Sequence, residues 1–293
     1  MDIALIVHAG AGAYPPQYIG PAQKGCREAI LSGWRILQDK GSALDAVEAA
    51  VRVLEDNPLY NAGTGSSLTR EGKIEMDAGI MDGATLQVGA VAGVELIKNP
   101  IKLARKVLES PHVMLIGQGA QQFALEQDMS LCTHEDLLTE QVYQRWQEHR
   151  AAEVPPKAWK YGTVGAAAID HTGRLAAATS TGGLMDKYPG RVGDSPLVGC
   201  GYYADEYAAV SCTGYGEDFV RLLIARRAAE FVAQGYSAQR AGNEAMTLLA
   251  TLTTGTGALI LVDAQGRVAS AKVSQHMPYA CISGEMLEPE VGI

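Results

Sequence analysis

Apolar and polar positions change rhythm along the chain at intervals that mark out alternating strands and helices. The opening run Met1-Asp2-Ile3-Ala4-Leu5-Ile6-Val7-His8 is short and nearly all apolar, and Gly10 and Gly12 follow it, which reads as a buried strand ending in a turn. A helical stretch is predicted from about Pro21 to Gln38. A second helix starts after Ser42, whose hydroxyl suits a cap, with Asp45 in the first turn where the helix dipole favours negative charge. Ala43, Ala46, Val47, Ala50 and Leu54 recur along it at helical spacing. Strands punctuated by glycine are predicted at Lys73–Ile80 and Thr85–Val94. A helix from about Pro100, a strand at His112–Ile116 and a helix from near Gln118 complete the first half.

The second half opens with a hairpin pattern, Val164–Ile169 and Arg174–Thr179 around the turn Asp170-His171-Thr172-Gly173. The same turn chemistry recurs at Asp263-Ala264-Gln265-Gly266, between Ala258–Val262 and Arg267–Val273. Helices are predicted at Glu217–Gln234 and Ser237–Leu249, and no short-period repeat is present. The one linker-like stretch, Arg150 to Lys160 with Pro155-Pro156, stands immediately before Gly162-Thr163. A loose segment leading into a buried strand is odd for a continuous chain and makes sense if the chain is cut there.

Composition narrows the function classes. With 293 residues, 47% hydrophobic and 19% charged, the chain can bury a large core. Net charge is −9 and the longest basic run is Arg226-Arg227, so neither nucleic acid nor an anionic membrane is an expected partner. No stretch has the length of a membrane span, and the N-terminus has no basic leader or cleavage site of a signal peptide. Five scattered cysteines, Cys26, Cys132, Cys200, Cys212 and Cys281, form no Cys-x-x-Cys pair, and suggest a cytoplasmic setting without disulfide framework or zinc site.

Thr163 is the leading candidate for chemistry. A threonine hydroxyl is a weak nucleophile that needs a base. Cleavage between Gly162 and Thr163 would give Thr163 a free α-amine, which titrates near pH 7.7–8.0 and suits that task. The small Gly162 leaves room for the hydroxyl to approach the preceding carbonyl in an N-to-O acyl shift. A Gly-Thr pair alone more often just begins a strand. The segments around it change the balance: Ala178-Thr179-Ser180-Thr181-Gly182-Gly183, Gly190-Arg191-Val192-Gly193-Asp194-Ser195-Pro196 and Thr213-Gly214-Tyr215-Gly216-Glu217.

Together with Gly162-Thr163-Val164-Gly165, these segments resemble the plant-type L-asparaginase/isoaspartyl peptidase branch of the N-terminal nucleophile hydrolases. The first half agrees in order, through His8-Ala9-Gly10-Ala11-Gly12, Tyr60-Asn61-Ala62-Gly63-Thr64-Gly65, Glu75-Met76-Asp77-Ala78, Met81-Asp82-Gly83, Gly89-Ala90-Val91-Ala92-Gly93 and Asn99-Pro100. The resemblance implies one α+β domain over residues 1–293, a four-layer αββα sandwich built by fragments 1–162 and 163–293 after self-cleavage. It implies Thr163 as nucleophile with Thr181 beside it, and Thr213 with the Gly214 amide as oxyanion hole. Arg191 would take the substrate carboxylate, Asp194 its ammonium, and the Gly216 carbonyl would add to the amine site. The implied substrates are β-aspartyl amides, either isoaspartyl dipeptides or L-asparagine, and the implied assembly is a dimer of cleaved protomers.

No cofactor is implied for catalysis. A structural sodium ion is implied in the loop Leu54–Thr64, held by main-chain carbonyls of Leu54, Glu55, Asn57, Tyr60, Ala62 and Thr64. Two departures bear on cleavage rate and leaving-group specificity: the linker is short beside many relatives, and Ser274–Ala280 differs from a Gly-Met-Tyr-Arg-like ending. A glycosylasparaginase, which usually carries Asp before the nucleophile where Gly162 stands here, and a threonine endopeptidase are the alternatives within enzymes. Outside them, Gly117-Gln118-Gly119 suggests a nucleotide-binding turn, but Gln122 stands where a third glycine is needed.

Overall fold

The computed structural model describes residues 2–152, 162–284 and 286–293. The first stretch contains β1 (Ala4–His8), α1 (Pro16–Gln38), α2 (Ala43–Glu55), β2 (Met76–Asp82), β3 (Val88–Val94) and α3 (Pro100–Leu108). β4 (Met114–Ile116), α4 (Gly117–Glu126), α5 (His134–Leu137) and α6 (Glu140–Ala151) complete it. After Thr163 come β5 (Val164–Ile169), β6 (Leu175–Thr181), β7 (Tyr202–Ala204), β8 (Ala208–Gly214), α7 (Gly216–Leu222) and α8 (Ile224–Ala233). Then follow α9 (Ala238–Leu252), β9 (Gly257–Asp263), β10 (Val268–Lys272), β11 (Tyr279–Ser283) and β12 (Glu290–Gly292).

Among the described residues, eight strands join in the order β12-β11-β1-β5-β6-β2-β3-β4, and four join as β10-β9-β8-β7. The result is a mixed arrangement of helices and two sheets. α1, α2 and α3 pack on the larger sheet and α8 and α9 on the smaller, while β1, β5 and β6 face β8 and β9.

Strand periodicity explains how the two faces are filled. On β5, Val164, Ala166 and Ala168 join the core under α1–α3, whereas Ala167 and Ile169 join the core between the sheets. On β6, Ala176 and Ala178 face the helices, and Leu175 and Ala177 face the other sheet. On β8, Val210 and Cys212 face α8 and α9, and Ala209 faces inward. Both faces being covered, β5 and β6 read as unbroken apolar runs of small residues. Gly165 shows why small size matters: a Cβ there would meet Ser211 Oγ and lie 2.6 Å from His8 Nε2.

The cap at Ser42 forms as predicted, its hydroxyl accepting from the Asp45 amide. Three predictions shift. α1 begins at Pro16, so Pro21 lies inside it, in the second turn, where its missing N–H removes one i→i−4 bond of the helix ladder. The single helix expected at Glu217–Gln234 is two, because Leu223 turns left-handed at φ 54°. The cause is tertiary: the first amides of α8, Ala225 and Arg226, bond to the carbonyls of Cys200 and Gly199. The expected linker from Arg150 starts inside α6, and its remainder lies outside the described residues. The turn at Gly117 leads from β4 directly into α4, a strand-to-helix turn without the third glycine of a nucleotide site.

Candidate active site

Alternation along the strands brings the hydroxyl residues to one place. Thr163 precedes β5 with the parity of Ala167 and Ile169, Thr181 ends β6 with that of Ala177, and Thr213 lies on β8 with that of Ala209. All three therefore point between the sheets. Thr163 Oγ1 donates to Thr181 Oγ1 at 3.1 Å and lies 3.5 Å from Ser195 Oγ. Thr181 Oγ1 also accepts from the Gly183 amide at 3.0 Å, which holds the hydroxyl in place beside Thr163. Asn61 holds this turn from outside, its Nδ2 donating to the Gly183 carbonyl at 2.6 Å and its Oδ1 accepting from the Ser67 amide at 2.8 Å.

Gly162 is wedged between two elements. Thr213 Oγ1 accepts from the Ala11 amide at 3.0 Å and would lie 2.8 Å from a Cβ on Gly162. On the other side, a Cβ on Gly10 would lie 2.7 Å from Gly162 Cα, and Gly10 itself adopts φ +100°, a conformation that favours glycine. The junction thus sits against the loop after β1 and against β8.

The charged residues converge beside the threonines. A Cβ on Gly216 would fall 2.9 Å from Asp194 Oδ1 and 3.1 Å from Arg191 Nη2, so these three residues meet. Asp194 is buried, its Oδ2 has no hydrogen-bond partner among the described residues, and burial pushes its carboxyl up to about 7 against the pull of Arg191. Arg191 donates from Nε and Nη2 to the two carboxylate oxygens of Glu217, at 2.9 and 2.8 Å. Burial works to raise the Glu217 pKa, but hydrogen bonding and charge from Arg191 leave it lowered. A cavity of about 290 Å³ joins Gly162, Thr163, Thr181, Arg191, Asp194, Gly214 and Gly216. Thr213 does not line it; it lies behind Gly162.

A family model described as asparaginase matches residues 1–292. The chain belongs to the asparaginase family. It is 48% identical to the plant-type L-asparaginase of Thermococcus kodakarensis, over 99% of each chain. It is 48% identical to the plant-type L-asparaginase of Pyrococcus furiosus, over 99% of this chain and all of the relative. The isoaspartyl peptidase/L-asparaginase of Danio rerio is 41% identical, over 94% of this chain and 91% of its own.

The loop implied for sodium closes on itself in this asparaginase-family chain. The carbonyls of Leu54, Glu55 and Asn57 accept from the amides of Asn57, Thr64 and Tyr60. Gly63 passes so close that a Cβ would lie 2.5 Å from the Glu55 carbonyl oxygen, and one on Gly65 would lie 2.9 Å from that of Tyr60. These bonds and close approaches make the loop compact, with main-chain carbonyl oxygens lying against its glycines. No group of three His, Cys, Asp or Glu that could hold a metal occurs among the described residues.

Several residues at the site carry no role in the sequence reading. Ser195, Asn61 and Glu217 stand inside the quoted motifs, but nothing in their spacing says which atom each meets. Ser180 of β6 faces away from the cavity and donates to Glu55 Oε1 at 2.6 Å, and burial pushes the Glu55 carboxyl up to about 8. His8 is buried with Nε2 3.0 Å from Ser211 Oγ, and burial holds its imidazole down to about 3, so it stays neutral. Among the described residues no helix is long and apolar enough to cross a membrane.

Proposed function

We propose that this chain cleaves itself between Gly162 and Thr163 and then hydrolyses β-aspartyl amides, both L-asparagine and isoaspartyl dipeptides. The observation that carries this reading is the meeting of Thr163 and Thr181 with Arg191, Asp194 and Gly216 around one cavity. The names of the archaeal and vertebrate relatives support the substrate class.

In self-cleavage, Thr163 Oγ attacks the Gly162 carbonyl carbon, the peptide nitrogen leaves as the Thr163 amine after taking a proton, and water hydrolyses the resulting ester. In turnover that amine takes the proton of its own hydroxyl as Oγ attacks the substrate's side-chain carbonyl. Once cleavage lets Gly162 withdraw from in front of Thr213, the oxyanion would form at Thr213 Oγ1 and the Gly214 amide, donors that act on charge present only in the transition state. The leaving amine departs protonated, and water releases L-aspartate from Thr163. Thr181 holds the nucleophile's hydroxyl. Arg191, with its Nε edge engaged by Glu217, meets the substrate carboxylate by its Nη1/Nη2 edge. Asp194 and the Gly216 carbonyl receive the ammonium.

The packing of helices on the far side of each sheet supports the finer reading of a four-layer αββα sandwich. Sodium, where bound, would be held by main-chain oxygens of Leu54, Glu55, Asn57, Tyr60, Ala62 and Thr64, and would stiffen the loop without entering the reaction. The assembly we favour is a dimer of cleaved protomers, checked by light scattering. A cytoplasmic setting is supported by five cysteines that are all free thiols.

Intact mass spectrometry and amino-acid release test the central claim. Active protein should consist of two fragments meeting at Gly162 and Thr163, and Thr163→Ala should remain uncut and inactive. Release of aspartate by an intact single chain would sink the mechanism. Activity confined to N-acetylglucosaminyl-asparagine or to intact proteins would move the chain to a glycosylasparaginase or endopeptidase reading.

A further inference from the structure

Glu75 and Asp77 stand at the start of β2, and neither lines the cavity described above. Both nevertheless reach the loop that carries Arg191 and Asp194. Glu75 Oε2 accepts from the Gly190 amide at 2.8 Å, and the Glu75 carbonyl accepts from Lys187 Nζ at 2.6 Å. Lys187 is only 3% exposed, an extreme for a lysine, and its side chain runs along Gly183. Asp77 is wholly buried and pairs in register with Thr181. Its Oδ1 accepts from the Gly93 amide at 2.8 Å, while Oδ2 has no hydrogen-bond partner among the described residues.

The charged groups of this cluster act on one another. Burial pushes the Asp77 carboxyl up and is opposed first by Lys187, then by the Gly93 amide and Arg191. Burial pushes Lys187 down and is opposed by Asp77 and Glu75. The loop is thus tied at Lys187, through the Glu75 carbonyl, and at Gly190, through the Glu75 carboxylate, on either side of Tyr188 and just before Arg191. Gly190 turns at φ +81° with open space where a Cβ would stand, so its amide bond to Glu75 supplements the other restraints on the loop, the Arg70 amide on the Lys187 carbonyl and the Arg191 amide on the Tyr188 carbonyl. From the opposite direction Glu217 holds the Arg191 guanidinium.

We propose that Glu75, Asp77 and Lys187 are positioning residues that fix the Lys187–Asp194 loop so that Arg191 and Asp194 meet the two charges of the substrate's amino-acid head group. This rests on the head-group reading above and extends it to residues that touch no substrate. Misplacement of a binding group by about 1 Å weakens a site severely, and a loop rich in glycine holds position only through its ties.

Glu75 offers the cleanest test, because Glu75→Ala removes the tie to Gly190 while the main-chain tie to Lys187 remains, and Glu75→Gln keeps an acceptor. Steady-state kinetics on β-aspartyl-leucine, calorimetric binding of L-aspartate and the rate of self-cleavage are measured for each. Glu75→Ala should raise KM and the Kd for L-aspartate by about tenfold or more, with kcat and self-cleavage within about threefold of wild type, and Glu75→Gln should restore both. The double variant Asp77→Asn/Lys187→Met, which removes both buried charges together and leaves neither alone, should behave as Glu75→Ala does. Unchanged KM and Kd in Glu75→Ala would overturn the proposal. So would a parallel loss of kcat, self-cleavage and binding that Glu75→Gln does not restore. A wild-type enzyme that neither binds L-aspartate nor releases it would remove the head-group reading itself, and this extension with it.

Discussion

At the residue scale, Asp194 has a titration consequence. Its carboxyl is pushed up to about 7 by burial, yet it must be ionised to receive an ammonium. In free enzyme it loses charge as pH falls through about 7, and in the substrate complex the bound ammonium holds it ionised. The Thr163 amine adds a second proton in the same range, near pH 7.7–8.0. The acid limb of log kcat/KM should therefore approach a slope of 2, and that of log kcat a slope of about 1. Equal slopes would take Asp194 out of the amine site. Thr213 has a different signature: Thr213→Ala should cut kcat by on the order of a hundredfold with little change in KM. A raised KM at normal kcat would assign it to ground-state binding instead. Thr163, Thr181, Arg191 and Asp194 could be named as candidates from motifs that resemble the family's, and the structure brings all four to one cavity. The Arg191–Glu217 fork was not legible, since it depends on two loops meeting in space. Nor was the burial of Lys187, which in sequence is one more surface-type cation.

At the scale of elements, the hairpin β5–β6 was legible from its turn and its apolar runs, and it sets the site. Residues alternate so that Thr179 and Thr181 face the second sheet while Ser180 turns to Glu55. The break at Leu223 had no local signal, because neither glycine nor proline marks it and the carbonyls that cause it belong to residues 199 and 200. β8 was missed as a strand because its hydroxyls and small residues dilute the apolar alternation. Close approach of this strand to β5 depends on Gly165. Gly165→Ala should lower the Tm by roughly 2–10 °C, since overpacking a rigid interior costs about 1–3 kcal/mol. An unaltered melting curve would mean that the sheets part without strain.

At the scale of the whole molecule, the larger sheet does not respect the proposed cut. β1, from before Gly162, lies between β11 and β5, and β2 pairs with β6. The division of the chain at residue 162 was suggested by the sequence, but this interleaving was not, because pairing partners far apart in sequence leave no periodic trace. Two fragments woven into one sheet stay together by burial and hydrogen bonding alone once the bond between them is gone. Cutting therefore changes the kinetic order of the route back from the denatured state. An uncut Thr163→Ala chain finds its partners within one molecule, so its refolding rate should not depend on dilution. The mature protein must first find its other half in solution, and its refolding should slow as the protein is diluted, with a yield that falls with it. The activation step would thus make recovery from unfolding depend on how much protein is present, a dependence the folding of the uncut chain does not share.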